Sequence, residues 1–117
     1  MTRFTYFIVV ALMSAAMAGE AAVVEFHIPA GTGKKPWNTR QTTVEVKVGQ
    51  TLRLINDDVT KHRMHTNDGK PCAHAPANLE KGTQYDCVVT QVADPDVDLC
   101  YDHNVGPSAR FYVRATN

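Results

Sequence analysis

Alternation of apolar and polar residues is the clearest pattern in the chain. In the segment TTVEVKVGQTLRLIN (residues 42–56), apolar side chains recur at every second position on either side of a Gly-Gln turn. These positions are Val44, Val46, Val48, Leu52 and Leu54. A period of two is typical of a strand that buries one face. The segment therefore predicts two β-strands joined by a tight turn.

Three other segments show a similar strand-like composition: AAVVEFHIP (21–29), TQYDCVVTQV (83–92) and ARFYVRA (109–115). The stretch NDGKPCAHAPANLEKG (67–82) is rich in turn-forming residues and predicts irregular structure. Short strands separated by turn signals indicate an all-β domain, either a β-sandwich or a small barrel. The length of 117 residues fits one such domain.

The first 18 residues have a different composition from the rest. They contain a basic residue, an apolar run over residues 4–13, and small residues that end in Ala16-Met17-Ala18. This is the pattern of a secretory signal peptide, so we expect residues 1–18 to be a leader and residues 19–117 the mature domain. An uncleaved N-terminal anchor is the alternative, although the run is shorter than the roughly 20 residues of a membrane-spanning helix.

Charge excludes some classes of partner. The chain has 12 basic and 12 acidic residues, and removal of the leader takes away one basic residue, Arg3. The remaining charges are mixed along the sequence. Neither the clustered basic surface of a nucleic-acid-binding protein nor a polybasic membrane patch is predicted.

Three cysteines, Cys72, Cys87 and Cys100, remain in the predicted mature domain. Cysteines of an exported protein usually pair in disulfides, and an odd number leaves one without a partner. Cys100 lies in the sequence CYDH, three residues before His103. A thiol and an imidazole at this spacing are candidates for a metal site or for a nucleophile with its base.

The chain resembles the cupredoxin family of small exported copper proteins. The resemblance is carried by VEVKVGQTLRLIN, by INDDVTKH with Asn56 six residues before His62, by CYDH, and by ARFYVRA as a closing strand. Together these segments span most of the predicted mature domain. The resemblance implies an all-β, Greek-key β-sandwich that holds one copper ion.

The resemblance also implies a ligand set of Cys100, His103 and His62, because a thiolate and two imidazoles suit both oxidation states of copper. Asn56 is expected to form hydrogen bonds near the thiolate. His65 is the alternative to His62, since residues three apart in a strand point to opposite faces. The spacing from Asn56 favours His62.

The fourth ligand is left open by the sequence. The methionine that follows the second histidine in most cupredoxins is absent from HNVGPSARF, and Met64 is the only methionine outside the leader. The alternatives are an empty position or a ligand from Met64, His65, water or a backbone carbonyl such as that of Lys61. A second, weaker copper site formed by Met64, His65, Cys72 and His74 is a further alternative if Cys72 is reduced.

If Cys100 binds the metal, Cys72 and Cys87 are left to pair. That disulfide closes a loop across the irregular segment 67–82. The alternative is a bridge from Cys100 to either of the other two cysteines, which removes the thiolate ligand.

These observations predict a periplasmic or secreted mononuclear copper protein that acts in electron transfer, with redox proteins as partners. A copper-tolerance function with copper-handling partners is the first alternative. A metal-free, disulfide-stabilised binding module and a copper redox enzyme with an open coordination position are others, and zinc is a rival metal for the same ligands. We expect a monomer without membrane insertion.

Overall fold

The computed structural model describes residues 22–117, so the predicted signal peptide lies outside the described residues. They form eight strands and one short 3₁₀ helix at Arg40–Thr42. The strands are β1 (Val23–Ile28), β2 (Val44–Lys47), β3 (Thr51–Asn56), β4 (Met64–His65), β5 (Gln84–Val88), β6 (Cys100–Asp102), β7 (Arg110–Phe111) and β8 (Val113–Thr116). Over this range, no helix is long and apolar enough to cross a membrane.

The first sheet has the strand order β1-β3-β5. Strand β3 lies in its centre, parallel to β1 and antiparallel to β5. The predicted alternation is seen in β3, where Leu52 and Leu54 are fully buried. Strand β2 ends at Lys47, so Val48 falls in the turn and is 38% exposed. The Gly49 turn has a positive φ of 100°, which favours glycine at this position.

The other strands form two smaller sheets, β2-β8 and β4-β6-β7. Strands β7 and β8 are separated only by Tyr112, so one chain segment contributes to both sheets. The sheets enclose one hydrophobic core. The predicted β-sandwich is therefore confirmed.

The core is centred on Phe111. Its ring packs against Trp37, with centroids 5.2 Å apart, and against Phe26, with centroids 4.8 Å apart. Phe111 and Trp37 are at most 2% exposed. Burial of one such side chain stabilises a fold by roughly 1.5–3 kcal/mol. Trp37 comes from the Gly/Pro loop after β1 and covers the core where it packs against Phe111.

The alternation of side chains in β4 and β6 decides which groups lie inside the protein. Met64 pairs with Asp102 and His65 pairs with Tyr101. Met64, Cys100 and Asp102 are buried, whereas His65 and Tyr101 are only half-buried. The thiol of Cys100 and the ring of His65 therefore belong to opposite faces of the β4–β6 pair.

Candidate metal centre

Three histidine rings converge beside the β4–β6 pair. One ring nitrogen from each of His65, His74 and His103 lies within 4.8 Å of the other two. The Nδ1 atoms of His65 and His103 are 3.5 Å apart. His65 and His74 are half-buried and His103 is exposed. We call these three residues the three-histidine site.

His65 is held by its neighbours on both sides. Its ring stacks on that of Tyr101, with centroids 4.3 Å apart and planes inclined by 17°. Its Nε2 lies 2.8 Å from Oδ1 of Asn67, to which it donates a hydrogen bond. A neutral imidazole that donates from Nε2 keeps its lone pair on Nδ1. That lone pair is therefore on the nitrogen that faces His103.

His103 lies in the turn that follows β6. Its backbone N–H donates to the carbonyl of Arg63 at 2.7 Å, and the N–H of Gly106 donates to the carbonyl of Asp102 at 2.9 Å. Gly106 has a positive φ of 123°, a backbone conformation that residues with a Cβ atom rarely adopt. The first bond ties the turn of His103 to the chain segment that leads to His65, and the second closes the turn itself.

His74 comes from the irregular segment and is anchored at two points. It is two residues from Cys72, which forms a disulfide with Cys87 in β5. The N–H of Ala75 donates to the carbonyl of Met64 at 3.0 Å. Burial lowers the pKa of the His74 ring, and electrostatic interactions with His65, His103 and Arg63, which disfavour its protonated form, lower this pKa further. His74 is therefore favoured as the neutral ring that a metal requires.

Comparison with solved structures identifies the architecture. A purple cupredoxin from Nitrosopumilus maritimus is 20% identical with a TM-score of 0.56, over 79% of this chain and 98% of that chain. A reduced Cu(I) form of an amicyanin mutant is 18% identical with a TM-score of 0.58, covering 80% and 82% of the two chains. An oxidised amicyanin mutant is 22% identical with a TM-score of 0.55, covering 86% and 87%.

The fold is a cupredoxin fold. No family model and no curated protein matches the sequence. The similarity to cupredoxins therefore concerns the arrangement of the strands. The identity of the metal ligands therefore depends on the positions of the side chains in this structure.

The predicted disulfide between Cys72 and Cys87 is confirmed. Cys72 and Cys87 are bonded, with Cα atoms 5.6 Å apart, and Cys100 is a free, buried cysteine. The alternative bridge from Cys100 is wrong. The suggested second site that included Cys72 and Met64 is also wrong, because Cys72 is oxidised and Met64 is fully buried in the core.

The prediction for His62 needs correction. Its side chain is fully buried, with Nδ1 2.5 Å from a carboxylate oxygen of Asp102 and Nε2 2.9 Å from a carboxylate oxygen of Asp58. Both ring nitrogens are thus hydrogen-bonded, and neither has a free lone pair to offer a metal. The cupredoxin pattern favoured His62 over His65, whereas the structure places His65 in the cluster.

The predicted convergence of Cys100 with His62 and His103 is not what the structure shows. Within residues 22–117, His65, His74 and His103 are the group of three ligand atoms that lie together. The Sγ of Cys100 lies 3.8 Å from the carbonyl oxygen of Lys70, on the core side of β6. Burial raises the pKa of this thiol to about 12. Cys100 is therefore held as a neutral thiol away from the three rings.

The predicted roles of Met64 and Asn56 are also revised. Met64 points into the core, away from the three-histidine site. The side-chain amide of Asn56 donates to the carbonyls of Thr60 and Leu79, and its oxygen accepts the N–H of Asp58. Asn56 therefore orders the loop that carries Asp58 rather than the surroundings of a thiolate.

The three-histidine site fits copper by the chemistry of its donors. Imidazole is a good ligand for copper, nickel, iron and zinc. Nitrogens about 2.0–2.1 Å from one tetrahedral ion lie roughly 3.3 Å from each other, close to the 3.5 Å between the Nδ1 atoms of His65 and His103. The sequence indicates His65 and His103 as candidate ligands. It gives His74 no part in the main site, because an irregular loop has no periodicity that places its side chains.

Proposed function

We propose that this chain is an exported copper protein in which His65, His74 and His103 hold one copper ion, and that it acts in electron transfer. The observation that carries the proposal is the convergence of three ring nitrogens within 4.8 Å on a cupredoxin fold. One of the solved amicyanin structures is described as a reduced Cu(I) form, which makes copper the first metal to test.

Bound copper would supply one-electron redox chemistry. The chain's own contribution is to fix its ligands. His65 is held by strand pairing and by Tyr101, His103 by a hydrogen-bonded turn, and His74 by the disulfide-linked loop. Three rings held in this way need little rearrangement between the oxidation states of copper, which favours rapid electron transfer.

The exposed ring of His103 offers a point of contact for a redox partner. The same exposure, together with a donor set of nitrogen atoms alone, favours copper handling as a second candidate function. An exposed ligand can be displaced by an incoming protein, and a site without thiolate holds Cu(I) less strongly. Export is supported by the predicted leader and by the disulfide, which is typical of an oxidising compartment.

Titration of the purified chain with Cu(II) tests the ligand set. We expect one ion per chain, nitrogen hyperfine structure in the electron paramagnetic resonance spectrum, and only weak visible absorption. Alanine at His65, His74 or His103 should each weaken binding by more than about 100-fold, because loss of an outer partner alone costs 10- to 100-fold. His27→Ala is the matched control, since His27 is an exposed histidine on β1.

An intense visible band that Cys100→Ser abolishes would instead support the cysteine-containing ligand set and overturn the three-histidine site. Electron transfer and copper handling are then distinguished by two measurements. Reversible one-electron voltammetry with slow loss of copper to a chelator supports electron transfer. Rapid loss of copper with poor reversibility supports copper handling.

A further inference from the structure

A buried histidine between two carboxylates lies next to the three-histidine site. His62 is fully buried, and its partners Asp58 and Asp102 are 2% and 1% exposed. Each ring nitrogen of His62 is hydrogen-bonded to one of these two carboxyl groups. Ionisable groups buried in this way are costly for a small fold.

Asp102 uses its two oxygens for different purposes. One oxygen is hydrogen-bonded to Nδ1 of His62 at 2.5 Å. The other accepts the backbone N–H of Arg63 at 3.2 Å and that of Asn104 at 3.0 Å. Arg63 is two residues before His65, and Asn104 directly follows His103. One carboxylate therefore joins the two chain segments that carry these metal ligands.

The far end of the network is also fixed. The carboxylate of Asp58 accepts the backbone N–H groups of Gly31 and Gly33 at 3.0 and 2.9 Å, in addition to Nε2 of His62 at 2.9 Å. Asp58, which follows β3, is thus anchored to the loop after β1. Because both ends of the His62 ring are tethered, the ring holds the carboxylate of Asp102 in one orientation.

We propose that His62 is a positioning residue: through Asp102 it sets the spacing between the rings of His65 and His103, and so tunes copper binding without touching the metal. This inference rests on the proposed function and deepens it. Substitution of a group that orients a metal ligand typically lowers metal affinity or activity 10- to 100-fold. His62, which the sequence suggested as a ligand, thus contributes to the three-histidine site through Asp102 and not by binding the metal itself.

Two variants of Asp102 test this proposal. Asp102→Asn keeps one oxygen for the N–H groups of Arg63 and Asn104 but replaces the oxygen that faces His62 with an amide nitrogen. Asp102→Ala loses both. Val113→Ala is the control, because it removes buried core atoms in β8, a strand outside the network. We expect copper affinity to fall about 10- to 100-fold in Asp102→Asn and further in Asp102→Ala, with a shifted reduction potential, and to be unchanged in Val113→Ala.

Equal affinity and potential in Asp102→Asn and Val113→Ala would overturn the inference, and this comparison holds even if Asp102→Ala does not fold. The metal-free protein provides an independent readout by nuclear magnetic resonance. The wild type should show contacts between the ring protons of His65 and His103, and Asp102→Asn should lose them. If the wild type fails to bind copper, the proposed function is wrong, while retention or loss of these ring contacts still decides the positioning role.

Discussion

Tyr101 covers one face of the His65 ring, with ring centroids 4.3 Å apart and planes inclined by 17°. The two residues are direct cross-strand partners on the outer face of the β4–β6 pair. Directly opposite residues of an antiparallel pair have Cβ atoms about 4.5–5.5 Å apart, close enough for their side chains to interact. The tyrosine therefore limits the rotation of a ligand ring that is only half-buried.

Substitution of Tyr101 should loosen the three-histidine site. An aromatic pair contributes about 0.5–1.5 kcal/mol, so we expect Tyr101→Ala to weaken copper binding by about 2- to 10-fold. Tyr101→Phe keeps the stacked ring and should bind copper as the wild type does. Competition with a chelator of known affinity measures both variants. Wild-type affinity in Tyr101→Ala would show that strand pairing alone orients His65.

The strands could be predicted because successive side chains of a strand point to opposite faces. A strand that buries one face therefore shows apolar residues at every second position. Leu52 and Leu54 show this in β3, where every second residue is buried. The alternation was less informative in β6, because this strand has only three residues. Read as a strand, however, CYD already places Cys100 and Asp102 on one face, and this could have indicated that the thiol lies inside.

The ligand set was harder to predict. The alternation of the backbone indicated that only one of His62 and His65 could belong to the site, but nothing local determined which. The choice depends on Asp58 and Asp102, whose carboxylates bind both nitrogens of His62 from distant parts of the chain. Likewise, His74 reaches the site through a loop whose course is set by a disulfide and by contacts with β4, not by any sequence period.

Cys100 should be unreactive in the folded protein. Burial raises the pKa of its thiol to about 12, and the thiolate is the nucleophile in alkylation. Treatment with iodoacetamide at pH 8 should leave the native chain unlabelled and should modify one thiol in denaturant, because Cys72 and Cys87 are bonded. Mass spectrometry measures the label. Rapid modification of the native chain would place Cys100 in an exposed environment.

The same pKa shift predicts how stability changes in alkaline solution. The thiol keeps its proton more tightly in the folded than in the unfolded chain, whose cysteine pKa is about 8.5. The contribution of the protonated thiol to the free energy of unfolding is therefore fully present below about pH 8.5. It is lost as the pH rises towards 12. Cys100→Ala should flatten this decline in urea unfolding measured between pH 8 and 10. An identical decline in wild type and variant would assign it to other groups.

Removal of the disulfide should affect both the fold and the site. The bridged cysteines are 15 residues apart, and a loop of this length corresponds to about 3 kcal/mol of stabilisation. The double variant Cys72→Ala, Cys87→Ala should lose about this much in urea unfolding. It should also bind copper more weakly, because His74 is two residues from the bridge.

Cys100→Ala provides the comparison for the disulfide variant, since it removes a buried sulfur on the core side of β6 and is expected to leave copper affinity unchanged. If the disulfide variant keeps wild-type copper affinity, the position of His74 is set by other contacts, such as the bond between Ala75 and Met64.

Asp58 should make the protein sensitive to acid. The hydrogen bond from His62 lowers the pKa of this carboxyl well below its usual range, helped by the N–H groups of Gly33 and Gly31. A carboxyl whose folded pKa is depressed contributes stability that is present above its unfolded pKa of about 3.9 and is lost as the pH falls through its folded pKa. Asp58→Asn should lower the free energy of unfolding by about 3 kcal/mol at pH 7, since it breaks a buried charged pair.

The difference in unfolding free energy between wild type and Asp58→Asn should be largest at pH 7 and should shrink from about pH 5 downward, as the wild type loses the contribution of Asp58. Urea unfolding at pH 7, 5 and 3 measures it. Asp57→Asn is the matched control, because Asp57 is the adjacent aspartate and bonds the exposed His27. Exposed pairs contribute at most about 1 kcal/mol. A loss in Asp58→Asn that equals that in Asp57→Asn, or that does not vary with pH, would contradict the part assigned to the buried network.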